Sequence, residues 1–130
     1  MKKVTLALLA LFMIVATPMV VLADGHEKEE AKEVTVKGEP VDIKCYLGGQ
    51  SGPKHASCAT ACANNGLPIG LLVTKNGKKH LLLTIGGDGK PAKDHLAKHM
   101  GKTVSVTGKV TTKDGMNVIT VAKVEAVDKE

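Results

Sequence analysis

The chain has very few aromatic residues and no arginine. It contains no tryptophan, one phenylalanine (Phe12) and one tyrosine (Tyr46) among 130 residues. Proteins that bind single-stranded nucleic acid stack bases on aromatic side chains and use arginine for planar contacts. The composition therefore argues against nucleic acid as a partner, and it weakens any sugar-binding or aromatic-cage function.

The chain is also short and carries little excess charge. Its 130 residues, 43% of them hydrophobic, suffice for one compact domain but not for a multidomain enzyme. The formal net charge is +5 for the whole chain and +3 (16 − 13) without residues 1–23, which contain two lysines and no acid, and this remainder is too small to imply a polyanionic partner. No serine–histidine–aspartate arrangement and no paired catalytic carboxylates are recognisable, so the sequence favours a protein that is not an acid–base enzyme.

Residues 1–23 have the pattern of a removable export signal. A basic start at Lys2 and Lys3 precedes an apolar run and a small-residue cleavage site that ends at Ala23. Asp24 stands where a lipoprotein needs a cysteine for acylation, so we expect a periplasmic or secreted product with no stable membrane insertion. The alternative is that residues 4–22, roughly the 20 residues needed to span a bilayer, remain as an anchor.

The rest of the chain divides into a leader and one domain. Residues 24–33 are charged and lack apolar periodicity, which is typical of a flexible leader. We expect residues 34–130 to form the domain. Alternating apolar residues from Val34 predict a first strand that ends at Cys45, and a glycine-rich loop follows it.

Two helices and four further strands are predicted after that loop. Ser57 as N-cap predicts a short helix over residues 58–65, and Pro91 opens a second helix. An Asn-Gly and an Asp-Gly turn predict two hairpins. Their strands are expected at residues 69–74, 79–85, 103–111 and 116–127. This order predicts a mainly β chain with two short helices, folded as a five-stranded OB-fold-like barrel with a helix inserted after strand one.

Two parts of the domain have patterns found in other proteins. Residues 101–110 (GKTVSVTGKV) and 116–124 (MNVITVAKV) resemble the closing half of many small exported OB-type domains. Residues 42–49 (DIKCYLGG), 55–62 (HASCATAC) and 66–72 (GLPIGLL) resemble a group of small exported bacterial proteins. The resemblance implies the barrel and an exported location, and it brings neither an activity nor catalytic residues.

All three cysteines and one histidine lie within 18 residues. Nine residues separate Cys45 from His55, two separate His55 from Cys58, and three separate Cys58 from Cys62. Cys58 and Cys62 are about 40° apart on a helix and roughly 6 Å apart along its axis, so both thiols approach one point. We expect His55 to fold back from the turn before the helix and the loop to bring Cys45 in. The four residues are therefore the predicted ligands of one metal ion.

Three thiolates and one imidazole suit either zinc or copper(I). Zinc takes this donor set in tetrahedral structural sites, whereas copper(I) favours soft sulfur ligands and tolerates a lower coordination number. An iron–sulfur cluster ranks lower because the spacing matches neither ferredoxin pattern. The ion is expected either to staple a marginally stable small domain or to be cargo that an envelope protein partner donates or accepts.

The cysteines also permit two alternatives. Exported proteins with cysteines usually form disulfides, and an odd number leaves one thiol free. A bridge from Cys45 to Cys58 or Cys62 would leave a disulfide-stapled binding or assembly module. The second alternative is a thiol redox protein, although the chain has no Cys-x-x-Cys motif and no haem-attachment motif.

One histidine pair is a weaker candidate for metal binding. His95 and His99 are four residues apart on the second predicted helix. They have no third ligand nearby in sequence and stand beside Lys93 and Lys98. We therefore expect a solvated histidine face here.

Overall fold

Five strands close into a barrel in the computed structural model, which describes residues 32–127. The strands are β1 (Lys32–Asp42), β2 (Ile69–Lys75), β3 (Lys78–Gly86), β4 (Val104–Lys113) and β5 (Met116–Ala126). Around the barrel they lie in the order β1-β2-β3-β5-β4, and β4 pairs with β1 to close it. The predicted signal at residues 1–23 and residues 24–31 of the predicted leader lie outside the described residues.

Neighbouring strands are antiparallel with one exception. β3 and β5 run parallel, in register from Leu83 opposite Val118 to Gly86 opposite Val121. A parallel pair needs a long crossover, and here the segment that includes β4 supplies it. The strand order and this parallel contact confirm the predicted OB-fold-like barrel.

Three short helices complete the fold of residues 32–127. They are α1 (Ile43–Leu47), α2 (Ala56–Asn64) and α3 (Ala92–Leu96). The first two follow β1, so the predicted helical insertion after strand one is confirmed, with α1 as an additional helix. α3 lies between β3 and β4 and passes into a 3-10 turn over Ala97–His99. No helix within residues 32–127 is both apolar enough and long enough to cross a bilayer.

Two glycines allow strands to approach closely where the barrel closes. Gly38 pairs with both β2 and β4, and a Cβ added there would lie 2.9 Å from the carbonyl oxygen of Leu72. Gly108 follows a bulge in β4, and a Cβ there would lie 2.2 Å from the carbonyl oxygen of Thr120. Any larger residue at either position would push a neighbouring strand away.

The core is built from aliphatic side chains, as the scarcity of aromatic residues requires. Its fully buried members include Leu71, Leu96, Val104, Val106, Ile119 and Val121. α2 adds the buried residues Ala59 and Ala63 to this core. Because Cys58 and Cys62 each precede one of these alanines by one position, about 100° around the helix, they lie at the edge of the core. α2 thus packs on the barrel through its alanines and leaves its two thiols near the surface.

Candidate metal centre

Three cysteines converge at one point beside the barrel. The Sγ atoms of Cys45, Cys58 and Cys62 all lie within 4.8 Å of one another. The Cys45 and Cys62 Sγ atoms are 4.0 Å apart. All three are free thiols; Cys58 is exposed, and the other two are half-buried. The group can therefore hold a metal ion that is reached from solvent.

α1 fixes the position of Cys45. Asp42 caps the helix, because its Oδ1 atom accepts a hydrogen bond of 2.8 Å from the backbone N–H of Cys45. At the other end the backbone N–H of Gln50 donates to the carbonyl oxygen of Cys45 at 3.0 Å. The prediction that strand one ends at Cys45 is wrong, because this cap turns the chain into a helix directly after Asp42.

α2 carries the other two thiols. A 3-10 turn over Pro53–His55 leads straight into the helix, and Gly52 begins the turn with a positive φ of 83°. His55 takes the N-cap position without a side-chain cap bond. The prediction that Ser57 is the N-cap is wrong because the proline turn starts the helical path upstream, which leaves Ser57 in the first turn.

Thr60 connects α2 to the segment after α3 through a hydrogen bond. Its hydroxyl group lies 2.8 Å from the carbonyl oxygen of Ala56, one turn earlier in the same helix. The same hydroxyl lies 3.2 Å from the carbonyl oxygen of Ala97. Since Thr60 stands between Cys58 and Cys62, this contact helps to fix both cysteines relative to the barrel.

The structure does not bring His55 into the cysteine group. The possible ligand group consists of the three cysteines and contains no histidine. Instead, the Nε2 atom of His55 is buried and has no hydrogen-bond partner within the described part of the chain. His55 lines a small cavity with Asp42 and Ala59. The three predicted sulfur ligands thus come together, while the fourth predicted ligand faces a different space.

Asp42 controls the protonation of the Cys45 thiol. A hydrogen bond with the Asp42 carboxylate is the largest cause that raises the pKa of Cys45 to about 12, and burial and the neighbouring Cys62 add to the effect. A carboxylate favours the protonated thiol because it accepts its hydrogen and repels the thiolate. The free protein therefore holds Cys45 as a thiol, and a metal ion must displace that proton to bind.

The sulfur spacing suits a thiophilic ion. With metal–sulfur bonds of about 2.3 Å, three sulfurs are about 3.8 Å apart in a tetrahedral site and about 4.0 Å apart in a trigonal one. The Cys45–Cys62 distance of 4.0 Å already has this value. Contacts of at most 4.8 Å to Cys58 require a shift of less than about 1 Å on binding.

The other predicted metal-binding candidate, the pair His95 and His99, has neighbours of its own. The Nε2 atom of His95 lies 3.0 Å from Oδ1 of Asp88, in the loop that follows β3. Burial lowers the pKa of His99, and Lys98 and Lys102 lower it further. Neither histidine belongs to a group of three metal-ligating side chains among residues 32–127.

Asp42 is the important site residue that the sequence reasoning missed. It is only 1% exposed, and its Oδ2 atom has no hydrogen-bond partner among the residues described. The available signal was an acidic residue three positions before a cysteine, in the spacing of a helix cap. Comparisons with protein-family models, curated proteins and solved structures give no match to this chain.

Proposed function

We propose that the protein is an exported metal-handling protein that carries one copper(I) or zinc ion on Cys45, Cys58 and Cys62. The observation that supports this function is the convergence of three free thiols from two helices. The export part of the proposal comes from the signal pattern of residues 1–23.

Cargo is favoured over a structural ion because the thiols stand outside the hydrophobic core. The buried cluster is made of barrel side chains, alanines of the helical segments, Leu96 of α3 and Met100, and it includes none of the three cysteines. Cys58 is exposed, so a partner can reach the ion without unfolding the domain. A structural site, in contrast, is typically closed by four protein ligands.

Copper(I) is favoured over zinc by the number of ligands. Among residues 32–127, the group contains three sulfur atoms and no fourth cysteine, histidine or carboxylate ligand. Copper(I) accepts three soft ligands, whereas zinc would complete its shell with a water molecule or a donor from a partner. We therefore expect copper(I) to bind more tightly than zinc under reducing conditions.

Metal loading of the reduced, signal-free protein tests this function. We expect one copper(I) per chain by elemental analysis, and a competing copper(I) chelator gives the affinity. Cys45→Ser, Cys58→Ser and Cys62→Ser should each weaken binding by at least roughly 100-fold, more than the loss of an outer residue would. Ser57→Ala is the matched control, since it changes α2 next to Cys58 and should bind as the natural chain does. A copper(I) affinity in Cys58→Ser equal to that of the natural chain would contradict the three-thiol site.

A thiol redox function is the second candidate, supported by the 4.0 Å between the Cys45 and Cys62 sulfurs. Exchange with a small disulfide would join these two sulfurs, release two thiols from the small molecule and leave Cys58 free. A thiol count on protein from its native compartment separates the functions. Three thiols with bound metal support metal handling, whereas one thiol without metal contradicts it and agrees with a redox-active or a structural disulfide.

A further inference from the structure

We propose that one buried water molecule bridges Oδ2 of Asp42 and Nε2 of His55 and thereby holds the two cysteine-bearing segments together. The bridge would make His55 a positioning residue of the metal site. Its effect on metal binding rests on the proposed function, whereas the water itself does not.

Two polar atoms with unused hydrogen-bonding capacity support the bridge. Asp42 Oδ2 and His55 Nε2 are the buried side-chain atoms within residues 32–127 that lack a partner. Native proteins rarely leave such atoms unpaired, and a bound water is one usual solution. Both residues line the same small cavity.

The cavity has the size and lining that a single water requires. Its volume is about 10 Å³, which is close to the space of one water. Glu39, Gln50 and Ser51 also contribute to its wall. Glu39 Oε1 already accepts a hydrogen bond from the backbone N–H of Gly52. A water here can donate to Asp42 and accept from the His55 ring, and the wall offers further polar groups.

The bridge would connect the two segments on which the sulfur geometry depends. Asp42 caps α1, which carries Cys45. His55 stands at the N-cap of α2, which carries Cys58 and Cys62. A link between the two caps therefore sets the distance from the first sulfur to the other two. This explains why a histidine lies between the cysteines in sequence without joining their group.

A crystal structure of the reduced, metal-free protein at high resolution tests the water directly. We expect one ordered water within hydrogen-bond distance of both Asp42 Oδ2 and His55 Nε2. A direct Asp42–His55 hydrogen bond, or a cavity without ordered water, would overturn the bridge. A copper(I)-loaded crystal with a His55 nitrogen bonded to the ion would overturn the positioning role.

Two substitutions of His55 test the coupling to the thiols. His55→Phe removes the ring nitrogen, whereas His55→Gln retains a polar group that can reach the water. We expect His55→Phe to lower copper(I) affinity by about 10-fold to 100-fold, the range for losses of outer-shell groups. The rate of Cys45–Cys62 disulfide formation should also fall, and His55→Gln should restore both to within about threefold.

The rate of Cys45–Cys62 disulfide formation tests the bridge independently of metal binding. If the natural chain binds neither copper(I) nor zinc, the rate and the metal-free crystal structure still test the bridge. Circular dichroism of both variants checks that they fold. Equal rates and affinities in His55→Phe and the natural chain would overturn the inference.

Discussion

At the scale of single residues, Asp42 connects the fold to the chemistry of the site. One carboxylate oxygen caps α1 through the N–H of Cys45, and the carboxylate also holds the thiol of the same residue protonated. Asparagine caps helices as well as aspartate does. Asp42→Asn therefore removes the negative charge and leaves the helix start intact.

We predict that Asp42→Asn lowers the pKa of Cys45 from about 12 toward the ordinary cysteine value of 9.0. Alkylation of Cys45 below pH 9 should become faster, by roughly threefold for each unit by which the pKa falls. This factor combines a tenfold gain in thiolate with the lower nucleophilicity of a more acidic thiol. Peptide-resolved mass spectrometry after timed alkylation measures the rate.

Asp42→Asn should also change how the stability of the protein depends on pH. Because the pKa of Cys45 is higher in the folded chain than in the unfolded one, the folded chain binds more protons between pH 9 and about 12. Stability should fall across that range in the natural chain, and less so in Asp42→Asn. Glu39→Gln is the control, since Glu39 bonds to Gly52 rather than to a thiol. A Cys45 alkylation rate unchanged by Asp42→Asn would contradict the assignment.

At the scale of elements, the sequence predicted those parts that local signals determine. The Asn-Gly and Asp-Gly turns have left-handed Asn76 (φ 51°) and Asp114 (φ 51°), as such hairpins require. The end of β1 was not predictable from alternation, because residues 41–45 alternate as a strand would. The competing interaction is a side-chain cap, which becomes decisive only once Asp42 is buried.

The loop between β3 and α3 contains an aspartate, Asp88, whose pKa is lowered by its hydrogen bonds. The hydrogen bond from His95 is the main cause that lowers the pKa of Asp88, and the backbone N–H of Lys90 adds to it. A carboxyl group with a lowered folded-state pKa stabilises the protein above its unfolded pKa of 3.8. That contribution is lost as the pH falls through the lowered value.

We therefore predict that Asp88→Asn causes a small fall in Tm at pH 6, where the Asp88 carboxyl group of the natural chain is ionised and accepts both hydrogen bonds. The difference from the natural chain should shrink below pH 3.8 and vanish once Asp88 is protonated in the folded state. Thermal unfolding followed by circular dichroism across this range measures it. Asp114→Asn is the matched control, because Asp114 is an exposed turn residue without an ion pair among residues 32–127. A Tm difference for Asp88→Asn that does not vary with pH would contradict the assignment.

At the scale of the whole molecule, the closed barrel folds around a core that contains none of the three cysteines. The aliphatic alternation and the turn signals were enough to predict five strands, and their sequence along the chain, with a helix between the third and fourth, matched an OB-fold barrel. The candidate site was only partly predictable. Helical spacing brought Cys58 and Cys62 together, but whether His55 faces the ion or the barrel depends on a turn that three-dimensional packing fixes.

The barrel should be stable without a bound ion. Because the core excludes the thiols, we expect the metal-free protein to remain folded under a strong chelator, unlike small domains whose metal is structural. Bound copper(I) should raise Tm by mass action. At a free copper(I) concentration of 100 times the Kd, the free energy of unfolding should rise by about 2.7 kcal/mol. Ile119→Ala, at a fully buried position, should cost about 2–5 kcal/mol with or without the ion. Calorimetry of both forms measures these effects, and unfolding on chelation alone would show that the ion is part of the fold rather than its cargo.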